Sequence, residues 1–341
     1  MIDIKSMSYD EILLFVTQEL KLPKFRANQI NDWLSKGVTS FDDMKNLPKD
    51  VIEKLKSICY ISVANIEKKL KSSYDETVKY LFSFEDKECV EAVVMKYKHG
   101  YSMCISTQVG CKMGCTFCAT GMGGFTRQLL PSEMLSQIEA AQRDLNIRIS
   151  NIVLMGMGEP LDNYANVVKF IRLVSSEKGI NIGTRHITLS TCGLVPKIYD
   201  LADEGFGITL SLSLHAPTDE IRSKTMPVNK KYPIGEAIKA CKYYADKTGR
   251  RITYEYAMIY GVNDNAFCAH TLAQLIKGTL CHVNLIPVNP VKGTGYNPSD
   301  DKRIINFRDI LSQYNVNSTV RRTLGADINA SCGQLRGKNK S

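Results

Sequence analysis

The run Cys111-Lys-Met-Gly-Cys115-Thr-Phe-Cys118 places three thiols at fixed spacing in a short glycine-containing loop. Three thiolates can hold three irons of a [4Fe-4S] cluster and leave the fourth iron open to a small molecule. That arrangement points to chemistry at the open iron and not to electron storage. S-adenosylmethionine fits it, because its amino and carboxylate groups can chelate an iron. An electron from the cluster could then break a carbon–sulfur bond and begin radical chemistry. The competing reading is a structural zinc site, which normally takes four protein ligands in a closed tetrahedron, often from paired C-x-x-C knuckles. One C-x-x-C is present and no second pair follows it, although Cys104 could supply a fourth ligand.

Two cysteines outside the loop need separate weighing. Cys332 lies in the small, polar stretch Asp327-Ile-Asn-Ala-Ser-Cys332-Gly-Gln-Leu335, which suits a reachable thiol better than a core position. Cys104 sits on a strand-like run just ahead of the loop. Either alone reads as a buried free cysteine. Two thiols meeting above one cofactor would instead suit nucleophilic chemistry closed by a disulfide. Cys59, Cys89, Cys192, Cys241, Cys268 and Cys281 read as packing residues. Glu91 reads as a strand-face carboxylate, or as a proton acceptor if its hairpin borders the site.

The elements that must position these groups follow from periodicity. Residues 1–58 read as helical: Ser8 caps an apolar-periodic run from Glu11 to Leu20, another runs from Phe25 to Leu34, and Pro48 opens a third. Val78–Phe84 and Val90–Tyr97, joined by Glu85-Asp86-Lys87, read as a hairpin. From residue 101, six strand-like runs (Met103–Ser106, Ile152–Met155, His186–Ser190, Ile208–Leu214, Ile252–Met258 and His282–Ile286) alternate with helical stretches. Alternation of this kind implies a parallel α/β sheet. Six units are too few for an eight-fold barrel, so the expected fold is a partial (β/α)6 barrel, with a flat doubly wound sheet as the alternative. The division expected is an accessory region of helices and hairpin over 1–98 and a catalytic part over 99–341.

The glycine-rich and polar segments fall after these strands, at the rim where parallel α/β folds place their active sites. Gly156-Met-Gly158-Glu159-Pro160 offers backbone amides and a carboxylate to a small cofactor, although a G-x-G alone usually marks only a tight turn. Ser190 and Ser213 could meet a ribose or a carboxylate, or simply cap strand ends. His215 could be a cofactor contact or a satisfied structural histidine. Asn289, held between prolines, could hydrogen-bond an adenine edge.

Composition bounds the rest. The chain has 341 residues, 44 % hydrophobic, with a net charge of +9. The charge suits a polyanion such as RNA and also suits many ordinary proteins. Basic residues gather at Lys68, Lys69 and Lys71 and at Arg321, Arg322, Arg336, Lys338 and Lys340, each cluster explicable as a solvated face. Eleven cysteines at uneven spacing, with no secretory pattern at the start, exclude a disulfide scaffold and point to a reducing cytoplasm. No apolar run reaches membrane-spanning length.

The longer run Gly110-Cys111-Lys-Met-Gly-Cys115-Thr-Phe-Cys118-Ala-Thr-Gly-Met-Gly-Gly-Phe125 resembles the RlmN/Cfr family of radical S-adenosylmethionine RNA methyltransferases. So do Met155-Gly-Met-Gly-Glu-Pro160, Ser213-Leu-His215-Ala-Pro217, Asn229-Lys-Lys-Tyr232 and Cys332-Gly-Gln-Leu335. The resemblance runs from about residue 20 to 337. Phe125 with Arg127, Pro160, and Pro287 in Asn284-Leu-Ile-Pro287 favour the RlmN branch. Gln128, where Asn is frequent, and Cys192, where Ser is commoner, are departures.

The resemblance implies methylation of adenine carbon 2 in 23S rRNA and in tRNA, 3′ of the anticodon; the Cfr branch methylates carbon 8. It implies a cluster on Cys111, Cys115 and Cys118, with S-adenosylmethionine contacted by Gly158, Glu159, Ser190, Ser213, Leu214, His215 and Asn289. By the same resemblance Cys332 takes a methyl group from one S-adenosylmethionine. A 5′-deoxyadenosyl radical from a second removes hydrogen from that methyl, and the methylene radical adds to the base. Glu91 then takes the ring proton, and Cys104 resolves the adduct through a transient disulfide. An electron donor such as flavodoxin or ferredoxin, no membrane, and a monomer complete the expectation. A zinc-stabilised RNA-binding module without catalysis and a plain iron–sulfur electron carrier are the readings from other classes.

Overall fold

The computed structural model describes residues 1–336, so Lys338 and Lys340 of the second basic cluster lie outside the described residues. One ten-stranded sheet organises the chain, and its strands lie side by side in chain order. They are β1 (Asn65–Lys71), β2 (Val78–Ser83), β3 (Cys89–Tyr97), β4 (Gly100–Cys104), β5 (Ile149–Leu154), β6 (Ile187–Thr191), β7 (Thr209–Ser213), β8 (Ile252–Met258), β9 (Cys281–Pro287) and β10 (Ser318–Val320). The first four strands pair antiparallel. From β4 to β10 every pairing is parallel. Helices intervene at Pro131–Leu145, Tyr164–Ser175, Val195–Asp203, Ile234–Thr248, Ala266–Ile276 and Asp301–Gln313. This is the expected partial barrel, open at both edges.

The hairpin belongs to the same sheet as the barrel. β3 pairs with β4 so that Val93 lies opposite Cys104. Sheet side chains alternate in direction, so Glu91, Val93 and Met95 share the face on which Cys104 stands. Two strands escape the sequence pattern. β1 reads Asn-Ile-Glu-Lys-Lys-Leu-Lys and is exposed along nearly its whole length, so it has no apolar alternation. Its lysines are what an edge strand needs to resist pairing with another chain. β10 is three residues long and gains its place by pairing with β9.

The N-terminal helices have an apolar cluster of their own, from Ile4, Ile12 and Val16 through Ile30 and Met44 to Leu55. Ser8 and Glu11 form a reciprocal capping box: the Ser8 hydroxyl accepts from the Glu11 N–H, and the Glu11 carboxylate accepts from the Ser8 N–H. The expected helix to Leu20 is regular only over Tyr9–Leu14 and then widens into a π turn at Phe15–Glu19. The Thr17 hydroxyl donates to the Leu13 carbonyl at 2.8 Å, and such back-bonding competes with the helical ladder.

These helices are tied to the barrel by a buried ion pair, Lys5 Nζ to Glu139 at 2.7 Å, with side chains 3 % and 8 % exposed. Lys5 also donates to the Ser62 carbonyl. Lys5→Ala leaves the Glu139 carboxylate buried without a counter-charge. It is expected to cost about 3 kcal/mol in a urea unfolding titration; a loss below about 1 kcal/mol would mean that water reaches the carboxylate. Among the described residues no helix is long and apolar enough to cross a membrane.

Candidate active site

The strand ends converge on a cavity at the carboxyl rim of the sheet. Its walls include Cys111, Cys115 and Cys118 from the loop after β4, and Gly158 and Glu159 after β5. Ser190, Ser213, His215, Asn289 and Cys332 complete the set that reaches it. Leu214 does not: its side chain is fully buried, its N–H donates to Glu255 O and its carbonyl accepts from Arg222. Cys192, read as a packing residue, also borders the cavity.

Cluster loop. Its backbone is anchored at several points. Cys111 N–H donates to Gly124 O, Thr116 N–H to Thr225 O and Cys118 N–H to Cys115 O. Burial pushes the Cys111 thiol up to about 12 and the Cys115 thiol higher still. Without metal they are therefore protonated thiols, and metal binding must expel their protons. Among the described residues no three His, Cys, Asp or Glu side chains close up as they would round one metal ion. Cys104 lies in a different cavity, which removes the fourth ligand that a zinc reading needs. Three thiols facing one space without converging on a point fit a four-iron cube, where each thiolate binds its own iron.

Glycine rim. Gly158 has φ +104°, and a Cβ there would stand 2.6 Å from the Gln108 Cβ. Only glycine lets the backbone pass this close to the cluster loop. Gln108 holds the turn: its Oε1 accepts from the Glu159 N–H at 2.8 Å, and its Nε2 donates to Gln128 and Asp162. The departure at Gln128 thus sits behind the rim, where its amide also bonds Asp162. The Glu159 carboxylate is committed, one oxygen to the Leu161 N–H and the other to the Cys192 N–H at 2.7 Å. Burial raises its pKa, and those hydrogen bonds oppose the rise. The turn therefore faces a ligand with backbone groups.

Serines and histidine. The Ser190 and Ser213 hydroxyls lie 3.2 Å apart at the ends of adjacent strands. His215 is buried with φ +57°; its Nδ1 accepts from Ala257 N–H, and its ring meets Phe117 edge-on at 5.0 Å. Phe117 lies between two of the loop cysteines, so this contact fixes the loop against the rim. Burial, helped by the Arg222 charge, holds the imidazole down to about 3, far below its ordinary 6.5. The unfolded chain takes a proton that the folded chain refuses, so stability falls as pH drops from about 6.5 toward 3. His215→Gln is expected to remove up to about 1.4 kcal/mol per pH unit of that acid slope. Urea titrations between pH 7 and about pH 5 check it, and an unchanged slope would mean that His215 is solvated.

Segment of Cys332. Residues 325–336 hang between the hairpin and the cysteine loop. The Asp327 carboxylate accepts from the Ser72 and Ser73 hydroxyls and the Ser73 N–H, while Lys79 donates to Asn329 O at 3.0 Å. On the other side Ala119 N–H donates to Gly333 O, and the Thr120 hydroxyl to Leu335 O, each at 2.7 Å. The exposed Cys332 between them borders two cavities, the one just described and a smaller one that contains Cys104. Asn289 donates its amide to Cys332 O at 3.0 Å, so it would have to exchange that bond to reach a cofactor. Glu91 lines neither cavity. Its carboxylate pairs with Lys79 at 2.8 Å and accepts from the Arg336 N–H at 2.6 Å, beneath the segment that follows Cys332.

Two arginines went unnoticed in the sequence. Arg222, in the charged run Asp219-Glu-Ile-Arg-Ser-Lys-Thr225, looks like a surface residue and is fully buried. It donates to Leu214 O, Cys192 O, Ser213 O and Asn229 Oδ1. Asn229 of the Asn-Lys-Lys-Tyr motif thus serves the rim, its own amide bonding Asp219 and Ser223. Arg321, counted with a solvated basic cluster, faces both cavities instead. No periodicity signals the burial of Arg222 or the inward placement of the partly exposed Arg321.

Comparison with known proteins agrees with this geometry. Residues 105–271 match the radical SAM superfamily and residues 2–61 the ribosomal RNA large subunit methyltransferase N-terminal domain. The probable dual-specificity RNA methyltransferase RlmN of Clostridium tetani is 52 % identical over 98 % of this chain and 96 % of its own. Its counterpart in Alkaliphilus oremlandii is 54 % identical over 99 % and 98 %. The crystal structure of a radical SAM methyltransferase from Sphaerobacter thermophilus superposes with a TM-score of 0.95, at 41 % identity, over 99 % of this chain and all of that one. Enzymes of this superfamily use a [4Fe-4S] cluster and S-adenosylmethionine. With a family model on each part of the sequence and relatives matched nearly end to end, the chain belongs to the RlmN family of radical S-adenosylmethionine methyltransferases.

Proposed function

We propose that the protein methylates carbon 2 of an adenine in 23S rRNA, and of the adenine 3′ of the anticodon in tRNA, with Cys332 as methyl carrier and Cys104 as resolving thiol. The observation that carries this reading is the position of Cys332. It borders the cavity of the cluster cysteines and also the cavity of Cys104, so one thiol can face a methyl donor and then a partner thiol. An electron carrier has no use for such a pair. The names of the relatives, dual-specificity RNA methyltransferases, support RNA as the substrate class.

When bound, the cluster would supply the electron that splits a sulfonium carbon–sulfur bond and so opens radical chemistry at a carbon that polar methyl transfer cannot reach. Cys111, Cys115 and Cys118 would hold it, and the backbone at Gly158 and Glu159, with Ser190, Ser213 and neutral His215, would line the cofactor's binding space. Cys332, on a segment tethered at both ends, holds the one-carbon unit. Glu91 would take the proton from the base carbon once the chain at Arg336 releases its carboxylate. Cys104 attacks the Cys332 sulfur and frees the product. A target base has to be unstacked to enter, and exposed lysines such as Lys68 and Lys71 would contact its phosphates. A flavodoxin or ferredoxin would deliver the electrons.

Nucleoside mass spectrometry after reaction of anaerobically reconstituted protein with S-adenosylmethionine, reductant and RNA tests this. 2-Methyladenosine is expected. 8-Methyladenosine would move the chain to the other branch, and no methylated adenosine, despite S-adenosylmethionine cleavage, would overturn the substrate.

A further inference from the structure

We infer that the Arg321 guanidinium is the counter-ion of the resolving thiolate, the group that lets the buried Cys104 attack Cys332. The inference rests on the carrier and resolving roles proposed above. It places a positioning residue in a step where resemblance supplied only the two sulfurs.

Arg321 follows β10, the short strand at the open edge of the barrel, and its side chain borders both cavities that Cys332 borders. An arginine carries five N–H donors. Yet its closest carboxylate oxygen, Glu255 Oε2, stands at 3.7 Å, and its one side-chain hydrogen bond is a long one to the Met155 sulfur at 3.9 Å. Among the described residues no oxygen accepts from this guanidinium. Glu255 is fixed behind it: Oε1 takes bonds from Ser211 and Asn284, while Oε2 has no hydrogen-bond partner. The carboxylate therefore holds the cation in place by charge and leaves its donors uncommitted at the mouth of the two cavities that Cys332 borders, with a quarter of the side chain exposed. The charged and titratable groups around Arg321 are Cys332, Glu255, Tyr97 and Cys104. Those around Cys104 are Cys332, Arg321 and Tyr97.

The chemistry gives such a cation a use. Only the thiolate attacks sulfur. Burial and the neighbouring Cys332 push the Cys104 thiol up to about 12, and Arg321, with the Met155 backbone, opposes them. In the resolving step the Cys104–Cys332 bond forms as the Cys332 sulfur–methylene bond breaks. The electron pair of that bond passes to the carbon, which takes a proton and becomes methyl, while Cys104 gives up its own. The two sulfurs lose two electrons and the carbon gains them, so no external oxidant enters; a dithiol reductant reopens the disulfide afterwards.

The test compares wild type, Arg321→Gln, Arg321→Lys and Cys104→Ala, each reconstituted with cluster and supplied with S-adenosylmethionine, reductant and target RNA. RNA-linked protein is followed on denaturing gels between pH 7 and 9, with methylation of Cys332 measured by peptide mass. Arg321→Gln is expected to load methyl on Cys332 normally and to accumulate adduct. That adduct should clear at least about tenfold more slowly than in wild type at pH 7, and about tenfold faster with each added pH unit as the thiolate fraction grows. Arg321→Lys should restore most of the rate. Adduct clearing at the wild-type rate, clearing that ignores pH, or failure to methylate Cys332 would each overturn the inference. Cys104→Ala separates the two levels. If it traps no adduct, the resolving role itself falls; if it traps adduct while Arg321→Gln clears normally, only the role of Arg321 falls.

Discussion

Cys104→Ala protein is expected to remain covalently attached to its RNA, whereas Cys332→Ala forms no attachment at all. The two variants differ because the thiols stand at opposite ends of one covalent sequence. In the proposed mechanism Cys332, exposed on its tethered segment, has to receive the one-carbon unit before anything reaches the base. Cys104 is buried in the smaller cavity, which Cys332 also borders. Without Cys104 the carbon–sulfur bond to RNA has no internal nucleophile to break it. Multiple turnover should fall by about 10³-fold or more, the scale seen when a covalent participant is removed. Both variants should still assemble the cluster, because neither thiol belongs to the Cys111–Cys118 loop; iron and sulfide content after reconstitution checks this. Normal turnover by Cys104→Ala, with no RNA-linked band, would remove it from the mechanism.

Much of this site is legible in the sequence because its parts lie at strand ends, where periodicity changes abruptly. Strand–helix alternation from residue 101 locates the parallel strands, and the segments after them carry the cysteines, glycines, serines and histidine that the structure brings to one rim. Pairing across the sheet is not legible. Nothing in the sequence places Val93 opposite Cys104, and it is this register that sets Glu91 on the Cys104 face and beneath the segment of Cys332. The charged edge strand β1 has no alternation to detect, and three-residue β10 is too short to show any. Polar residues that serve from behind are hidden for a different reason. Gln108, Arg222 and Asn229 look like surface chemistry by type, and only the fold decides that their polar atoms are satisfied inside it.

Arg222→Met is expected to destabilise the metal-free protein by about 3–5 kcal/mol, although a methionine fills much of the same volume. Each buried oxygen left without its donor costs roughly 1–3 kcal/mol, and partial rearrangement keeps the total below the sum. Four oxygens are affected: Leu214 O, Cys192 O, Ser213 O and Asn229 Oδ1. These belong to the chain after β6, to the chain after β7 and to the turn at Pro227–Lys230, so one side chain sets the spacing of three pieces of the rim. A second loss should follow at the cluster. Arg222 opposes the effect of burial on Cys115, and no carboxylate among the described residues lies within salt-bridge distance of its guanidinium. A buried cation so placed favours the thiolates that metal binding demands. Arg222→Lys separates the two effects, since an ammonium keeps the charge and cannot span the four acceptors with a planar fork. The lysine variant should recover iron and sulfide uptake while remaining less stable to urea than wild type. If Arg222→Met unfolds within about 1 kcal/mol of wild type, water replaces the guanidinium and the rim does not depend on it. If Arg222→Lys binds no more iron than Arg222→Met, then the spacing of the rim, and not the buried charge, governs cluster assembly.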